Sequence, residues 1–402
     1  MRKLLVLIPA LFIFLLSTVN LAVAKEDVVN IGFVHGITGP YATYGVPMRD
    51  AINWSIKMIE EKGGFEVQGK KYRLNVIHYD DSSKPETEGP GLLKKALYSD
   101  KVPILFLGGS PITRIGAPVA FQAKTPTIVL LAGMADVAKP PYLFRIRPDA
   151  AQCAPPLATY FTKDLKAKRI AFLGADTDFS RDNFKFWKEI TEKEGGKVIS
   201  EQWYVPGKVE DFYPTLSKIK AENPDAFFIS GTTQQNALVY KQASEIGLNI
   251  PRGGYTGMTA EQAKDLIGTK YKEALKNVFD SRGIDPAFHP DKKVRDWSKQ
   301  FTGKFGYFPA DLTMWAWDAP FIAIRAFQKA GTVSDREKIT KALADLEIPP
   351  DVITPYVPLR GNKLFDEQGQ SYSTTVVLGW ENVDWNTKKY YSVIKGVVKE
   401  IK

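Results

Sequence analysis

Cysteine is almost missing from this 402-residue chain: Cys153 is the only one. An internal disulfide is therefore excluded, and stability has to come from packed cores. Histidine is nearly as scarce, with His35, His78 and His289 the three present. None stands in a His-Glu-x-x-His pattern or beside a cysteine pair, so a metal centre has no support. Beyond the N-terminus no stretch reaches the roughly 18 uninterrupted apolar residues of a spanning helix. Low-complexity tracts, heptads and long internal repeats are absent as well.

Charge of one sign is never concentrated. Lys and Arg outnumber Asp and Glu by 54 to 45, for a net charge of +9. The basic residues are spread as pairs such as Lys70-Lys71, Lys94-Lys95 and Lys388-Lys389. That pattern reads as solvated helix faces and loops, and no nucleic-acid partner is expected.

Catalytic motifs are missing too. Neither phosphate-loop pattern occurs after the first strand. Gly108-Gly109-Ser110-Pro111-Ile112 lacks the last glycine of a nucleophile elbow. Asp80 and Asp81 are adjacent, and on an extended chain neighbours point to opposite faces. They are read as capping the next segment, with Ser82 and Ser83 completing a turn. His78 lies inside a strand and is read as structural. His35 opens a loop after the first strand, the one histidine with a cleft position. No enzyme and no cofactor is expected.

What is present begins with an address. Arg2 and Lys3 precede an apolar run over residues 4–16, and Ala22-Val23-Ala24 follows. This is the pattern of a secretory signal peptide, with cleavage expected after Ala24. The remainder is longer than one hydrophobic core usually supports, so two domains are expected.

Strand-like runs then alternate with amphipathic helices. Residues 28–34 and 72–79 read as strands. The apolar spacing of Met48, Ile52, Ile56 and Ile59 predicts a helix over 47–62, stopped by Gly63-Gly64. A helix is expected over 92–98, and short strands over 103–108 and 127–131. The pattern restarts at 169–173, with helices over 180–194, 212–221 and 234–246. A helix follows within 285–308. The longest apolar helix, over 312–329, should bury against the first sheet. Residues 371–394 are strand-like. Repeated β-α units predict parallel sheets with right-handed crossovers, used twice: an α/β fold of two doubly wound lobes.

In such sheets ligands bind beyond the carboxyl ends of the strands. That rule selects residues 36–45, with Tyr41 and Tyr44 as aromatic walls. It also selects Gly108-Gly109-Ser110-Pro111, with Ser110 as N-cap and Pro111 as first helical residue, an anion-friendly helix start. Leu131-Ala132-Gly133-Met134 would let a ligand approach backbone. In the second half the rule selects residues 176–180 with Phe179, Gly231-Thr232-Thr233, and Thr256-Gly257-Met258 ahead of the capping box Thr259-x-x-Gln262. Hydroxyls and aromatics from two opposed lobes suit a small solute that is part polar and part apolar.

These loops, in this order, carry a resemblance. Ile31-Gly32-Phe33, Thr38-Gly39-Pro40, Tyr44-Gly45, the 74–81 segment ending in Asp-Asp, Phe144-Arg145-x-Arg147-Pro148-Asp149 and Trp317-Asp318-Ala319 follow one another at family spacing. The sequence resembles the periplasmic branched-chain amino acid (leucine-binding) family of ABC transporter substrate-binding proteins, with the type I periplasmic binding fold. The resemblance implies two lobes joined by three crossover strands, near Arg147, residues 280–284 and residues 355–364. It implies an N-terminal lobe of residues 25–147 plus 283–355, and a C-terminal lobe of 148–282 plus 356–402. Ser110 and the Ala132-Gly133-Met134 backbone inherit the hold on a ligand carboxylate, and Tyr44 a wall position. Phe179 stands where the family often has tyrosine, and Thr232 or Thr233 where another aromatic occurs.

One departure bears on the ligand. The family's acidic partner for the ligand ammonium should lie near Thr256, where this chain has no Asp or Glu. A buried ammonium without a carboxylate is costly. Either Asp176 or Asp178 takes over, or the ligand is not a standard α-amino acid. The resemblance thus implies a monomeric periplasmic protein that hands a branched-chain amino acid, or a related apolar or aromatic carboxylate, to an inner-membrane permease. The alternative is a ligand-sensing module for a signalling partner. A secreted hydrolase would need a nucleophile–base pair that so little histidine does not supply.

Overall fold

The computed structural model describes residues 27–401 apart from positions 207, 210, 256, 257, 285, 288, 382 and 383. The expected cleavage after Ala24 lies outside these residues. Strand β1 (Asp27–His35) turns from alternating to continuous burial as it enters the first core. Helix α1 (Ala42–Glu61) buries Met48, Ile52, Ile56 and Ile59 and ends before Gly63, whose φ of 89° is left-handed. It starts a turn earlier than apolar spacing predicts and carries Pro47 inside.

The hairpin β2 (Phe65–Val67) and β3 (Lys70–Asp80) comes next, then α2 (Gly89–Lys94), shorter than expected and continued by a wider turn over Lys95–Ser99. Strand β4 (Leu105–Leu107), α3 (Ser110–Gln122), β5 (Thr127–Val129) and β6 (Leu143–Arg145) complete the first sheet. Its order is β2-β3-β1-β4-β5-β6, parallel except for the β2 edge.

The second half repeats the scheme. Helix α4 (Ala150–Thr159) leads to β7 (Arg169–Ala175), α5 (Asp178–Lys193), β8 (Lys197–Tyr204) and α6 (Tyr213–Ala221). Then come β9 (Ala226–Ser230), α7 (Thr233–Glu245), β10 (Arg252–Gly254), α8 (Ala260–Ile267), α9 (Tyr271–Ala274) and β11 (Val278–Arg282). Helices α10 (Lys292–Phe305), α11 (Asp311–Ala330) and α12 (Arg336–Ala344) follow. The chain closes with the antiparallel strands β12 (Thr375–Glu381), β13 (Asp384–Ile394) and β14 (Val397–Ile401). The second sheet runs β14-β13-β12-β11-β10-β9-β7-β8. The two doubly wound lobes read from the sequence are therefore present.

Packing assigns the late helices. Trp315, Ala319, Ile322 and Ala323 of α11 share one core with Ile31 and Phe33 of β1 and with Met48 and Ile52 of α1. The longest apolar helix thus covers the first sheet, as its composition requires. Asp318 of α11 is fully buried and accepts the N–H groups of Ile353 (2.6 Å) and Thr354 (3.0 Å), pinning the returning chain. Burial pushes its carboxyl up to about 7.

The chain passes between the sheets after β6, after β11 and ahead of β12. The first and third passages lie side by side: Arg145 N–H donates to Gly369 and Ser371 N–H donates to Arg145. The Ser281 hydroxyl on β11 donates to the Cys153 carbonyl of α4 at 2.6 Å. Cys153 is buried, and burial holds its thiol at about 12, far from a reactive thiolate.

Candidate functional site

Each sheet has a switch point where the strand order reverses, between β1 and β4 in the first and between β7 and β9 in the second. Loops leaving a switch point diverge and leave a crevice. Here the two crevices face one another. Together they enclose a cavity of about 690 Å³, lined by both lobes. That volume lies in the range of small-molecule sites.

On the first side the wall starts with His35, the last residue of β1. The following loop is clamped by Asp80, whose carboxylate accepts Ile37 N–H (2.8 Å), Thr38 N–H (3.2 Å) and the Thr38 hydroxyl (2.6 Å). Asp81 instead accepts Ser83 N–H at 2.9 Å, and Ser83 Oγ ties Thr38 to Tyr41. The acidic pair thus shapes the 36–41 loop rather than only capping the segment after it. The result places Tyr41 and Tyr44 on the cavity.

The second loop corrects an expectation. Gly109, not Ser110, is the N-cap of α3; Ser110 is the first helical residue and Pro111 the second. Gly109 has no side chain with which to cap, and Ser110 lines the cavity.

The third loop corrects another. Gly133 lines the cavity, but Ala132 and Met134 are buried away from it. Their carbonyls are taken by the Arg145 guanidinium, which also reaches Ala135 O (3.2 Å) and the Asp149 carboxylate (2.6 Å). Carbonyl oxygens only accept, so this row serves the arginine, whereas a ligand carboxylate needs N–H or O–H donors.

Sequence reasoning assigned Arg147 only to the lobe crossing, and the structure puts it on the cavity wall. The side chain is 2 % exposed. Its Nε donates to Pro148 O (2.6 Å) and its Nη1 to Leu131 O (2.8 Å), while Nη2 has no hydrogen-bond partner. The guanidinium stands 5.3 Å from the ring centres of both Tyr255 and Trp315, with the Cys153 thiol among its neighbours. An arginine stays protonated in such a place. The signal in the sequence was a second basic residue at the carboxyl end of an otherwise apolar strand, where a cation has to be buried.

Tyr255 and Asp311 complete this end. The Tyr255 hydroxyl donates to Asp311 Oδ2 at 2.7 Å, and Leu312 N–H reaches Oδ1 at 2.7 Å. Both carboxylate oxygens are therefore engaged. Burial raises the carboxyl pKa of Asp311, with Tyr255 and Arg147 acting in the opposite direction.

The second lobe supplies Phe179, Thr232 and Thr233. Thr177 caps α5, accepting Ser180 N–H at 3.3 Å, and so sets Phe179 in the first helical turn. Phe179 packs edge-on to Tyr255, with ring centres 5.9 Å apart, and against Gly133 of the other lobe. Thr232 caps α7 in a capping box with Gln235. The hydroxyls of Thr233 and Tyr44 lie 3.3 Å apart across the cleft. Arg114 and Asp178 pair at 2.5 Å, and Ala135 N–H donates to Asp182 at 2.8 Å, so the lobes touch on several sides. Thr256 lies outside the described residues. The remaining histidines are structural: His78 Nε2 pairs with Asn53 Oδ1 at 2.9 Å, and His289 Nδ1 accepts Asp291 N–H.

Comparison with known proteins agrees with this architecture. Residues 28–380 match the family described as periplasmic binding protein. The chain is 24% identical over 328 residues to the Leu/Ile/Val-binding protein BraC3 of Rhizobium johnstonii, covering 80% of this chain and 85% of the relative. The leucine binding protein LivK of Thermotoga maritima superposes with a TM-score of 0.77 at 22% identity, over 90% of this chain and 98% of that one. A solute binding protein of an ABC transporter from Rhodopseudomonas palustris, solved with 3,4-dihydroxybenzoic acid, gives a TM-score of 0.78 at 24% identity, over 92% and 99%. The family is one of binding proteins and not of enzymes. With the family match spanning both lobes and their switch-point cavity, the chain belongs to the periplasmic binding protein family and has the type I fold of its leucine-binding members.

Proposed function

We propose that this chain is the extracytoplasmic substrate-binding component of an ABC transporter, and that its inter-lobe cavity takes a small apolar or aromatic carboxylate. The observation that carries the ligand class is Arg147: a buried cation on the cavity wall with an unpartnered Nη2. A buried charged donor left unpaired is expensive, and an incoming carboxylate removes that cost with a charge-assisted hydrogen bond. Ser110 at the start of α3 adds a hydroxyl, and Tyr44, Phe179 and Tyr255 add aromatic surface. Gly133, Thr232 and Thr233 fill the remaining wall.

The buried acid that shares the cavity wall beside Arg147, Asp311, already has both oxygens engaged. A ligand ammonium would have to compete for it. This supports a carboxylate without an α-amine over leucine, isoleucine or valine.

The ligand would act by population shift, touching both lobes only when they are closed. The closed form would then deliver it to a permease of the inner membrane. A periplasmic monomer released by signal cleavage after Ala24 fits the basic start and the apolar run of residues 4–16. No helix among the described residues is long and apolar enough to cross a membrane.

The test is thermal unfolding of residues 25–402 against leucine, isoleucine, valine, benzoate and branched aliphatic acids. A ligand at a hundred times its Kd adds about 2.7 kcal/mol of stability. Stabilisation by carboxylates without an amine is the expected result. Stabilisation by the amino acids alone would overturn the ligand class while leaving the transport role standing.

A further inference from the structure

His35 is the second buried group on this cavity that lacks a partner. It is 3 % exposed, lines the cavity, and its Nε2 makes no hydrogen bond. The ring is fixed by its surroundings. It stacks on Phe33, with centres 5.8 Å apart and planes at 17°. Gly108 presses on its other edge: a Cβ there would lie 2.4 Å from Nδ1 and 2.3 Å from Cγ. Nδ1 is the nitrogen on the Gly108 side. Nε2 is the nitrogen left without a partner, and in a neutral imidazole it can accept a hydrogen bond. Burial holds the imidazole at about 4, so it stays neutral at ordinary pH. Asp81, also buried and on the same wall, adds a second acceptor nearby.

The position of this acceptor relative to Arg147 matters. His35 ends β1, Gly108 follows β4, and Leu131, whose carbonyl holds Arg147, follows β5. With β1, β4 and β5 adjacent in that order, the imidazole and the guanidinium are held by different strands of the same wall. Leucine, isoleucine and valine carry their ammonium on the carbon next to the carboxylate, so their far ends are aliphatic and bring nothing to Nε2.

We propose that His35 Nε2 is a ligand-contact atom that selects carboxylates carrying a hydrogen-bond donor, a hydroxyl or amine, at the end remote from the carboxylate. The proposal rests on the carboxylate reading of Arg147 and adds a second pole to it. A ligand without the donor leaves a buried acceptor unpaired, and a site built that way discriminates strongly against such analogues.

Calorimetric titration of residues 25–402 with benzoate, 3-hydroxybenzoate, 4-hydroxybenzoate and leucine tests it, in the wild type and in His35→Phe. At least one hydroxy acid is expected to bind the wild type about tenfold or more tighter than benzoate. That preference should fall below about threefold in His35→Phe. Nitrogen NMR of histidine-labelled wild type gives a readout that needs no variant: the His35 Nε2 signal should move upfield with the hydroxy acid and stay with benzoate. A wild type that prefers benzoate, a hydroxyl preference that survives in His35→Phe, or an unmoved Nε2 signal would overturn the role of His35 alone. Failure of all three aromatic acids with leucine still binding would overturn the amine-free ligand class proposed for this cavity, and this proposal with it.

Discussion

Gly133 and Phe179 meet across the cavity so closely that a Cβ on Gly133 would come within 2.7 Å of the Phe179 ring. The contact joins the loop after β5 to the first turn of α5, so it exists only when the lobes are together. Gly133→Ala should push the ring aside or hold the lobes apart. Ligand affinity is expected to fall about tenfold, with unfolding in urea little changed. Small-angle scattering with saturating ligand would show incomplete closure; an affinity equal to wild type would refute the reading.

Two arginines two residues apart should behave differently when removed. Arg145 is bonded to Gln370, Asp149 and three carbonyls and holds two chain passages together. Arg145→Met leaves Asp149 buried without its cation and is expected to cost about 3–5 kcal/mol in denaturant unfolding. Arg147→Met removes a cation whose Nη2 had no partner. It should cost less stability, yet weaken carboxylate binding by about a hundredfold. Equal stability losses in the two variants would contradict this division of roles.

At the mouth of the cavity Arg114 and Asp178 bridge the lobes at 2.5 Å, but their side chains are 54% and 56% exposed. Exposed pairs are worth about 0–1 kcal/mol. Asp178→Asn should therefore change ligand Kd by less than about fivefold, at low and at high salt alike. A loss of two orders of magnitude would mean that this pair, rather than the buried wall, holds the closed form.

Asp318 gives the fold a pH dependence of its own. Burial raises its carboxyl to about 7, above the ordinary value of 3.8. The folded protein therefore keeps a proton that the unfolded chain releases, and this contribution is present at low pH and lost as pH rises through 7. At about 1.4 kcal/mol per pH unit the whole span is about 4 kcal/mol at most. Relative to wild type, Asp318→Asn should gain stability between pH 4.5 and 7.5. Parallel stability curves for the two proteins would show that Asp318 stays ionised when folded.

Much of the architecture was legible because local chemistry punctuates it. Gly63, Gly195 and Gly247 follow helix ends, and Met48, Ile52, Ile56 and Ile59 mark the buried face of α1. Strand β14 was missed because Val397, Lys399 and Glu400 leave it mostly exposed at a sheet edge, with too weak an apolar pattern to read. The loops of the site were legible through the switch-point rule, which brought in Tyr44, Ser110, Gly133, Phe179, Thr232 and Thr233. Direction of side chains was not. Whether Ala132 and Met134 or Arg147 faces the cavity depends on where Arg145 finds its acceptors, and that is settled by Gln370, some 220 residues away. Asp311 reaches the site only because α11 packs beside the first sheet.

The crowding around His35 has an evolutionary meaning. A side chain at Gly45 is barred by the Gly36 carbonyl, 2.1 Å from where its Cβ would stand, whatever occupies position 35. A side chain at Gly108 is barred by His35, whose Cγ, Nδ1 and Cβ all lie within 2.6 Å of where its Cβ would stand, so the two positions are tied as a pair. A descendant that exchanges His35 for alanine keeps a Cβ 2.6 Å from that point, so position 108 is freed only when position 35 also becomes glycine. One that keeps the imidazole inherits the glycine with it, and so does one that carries any other side chain at position 35 on this backbone.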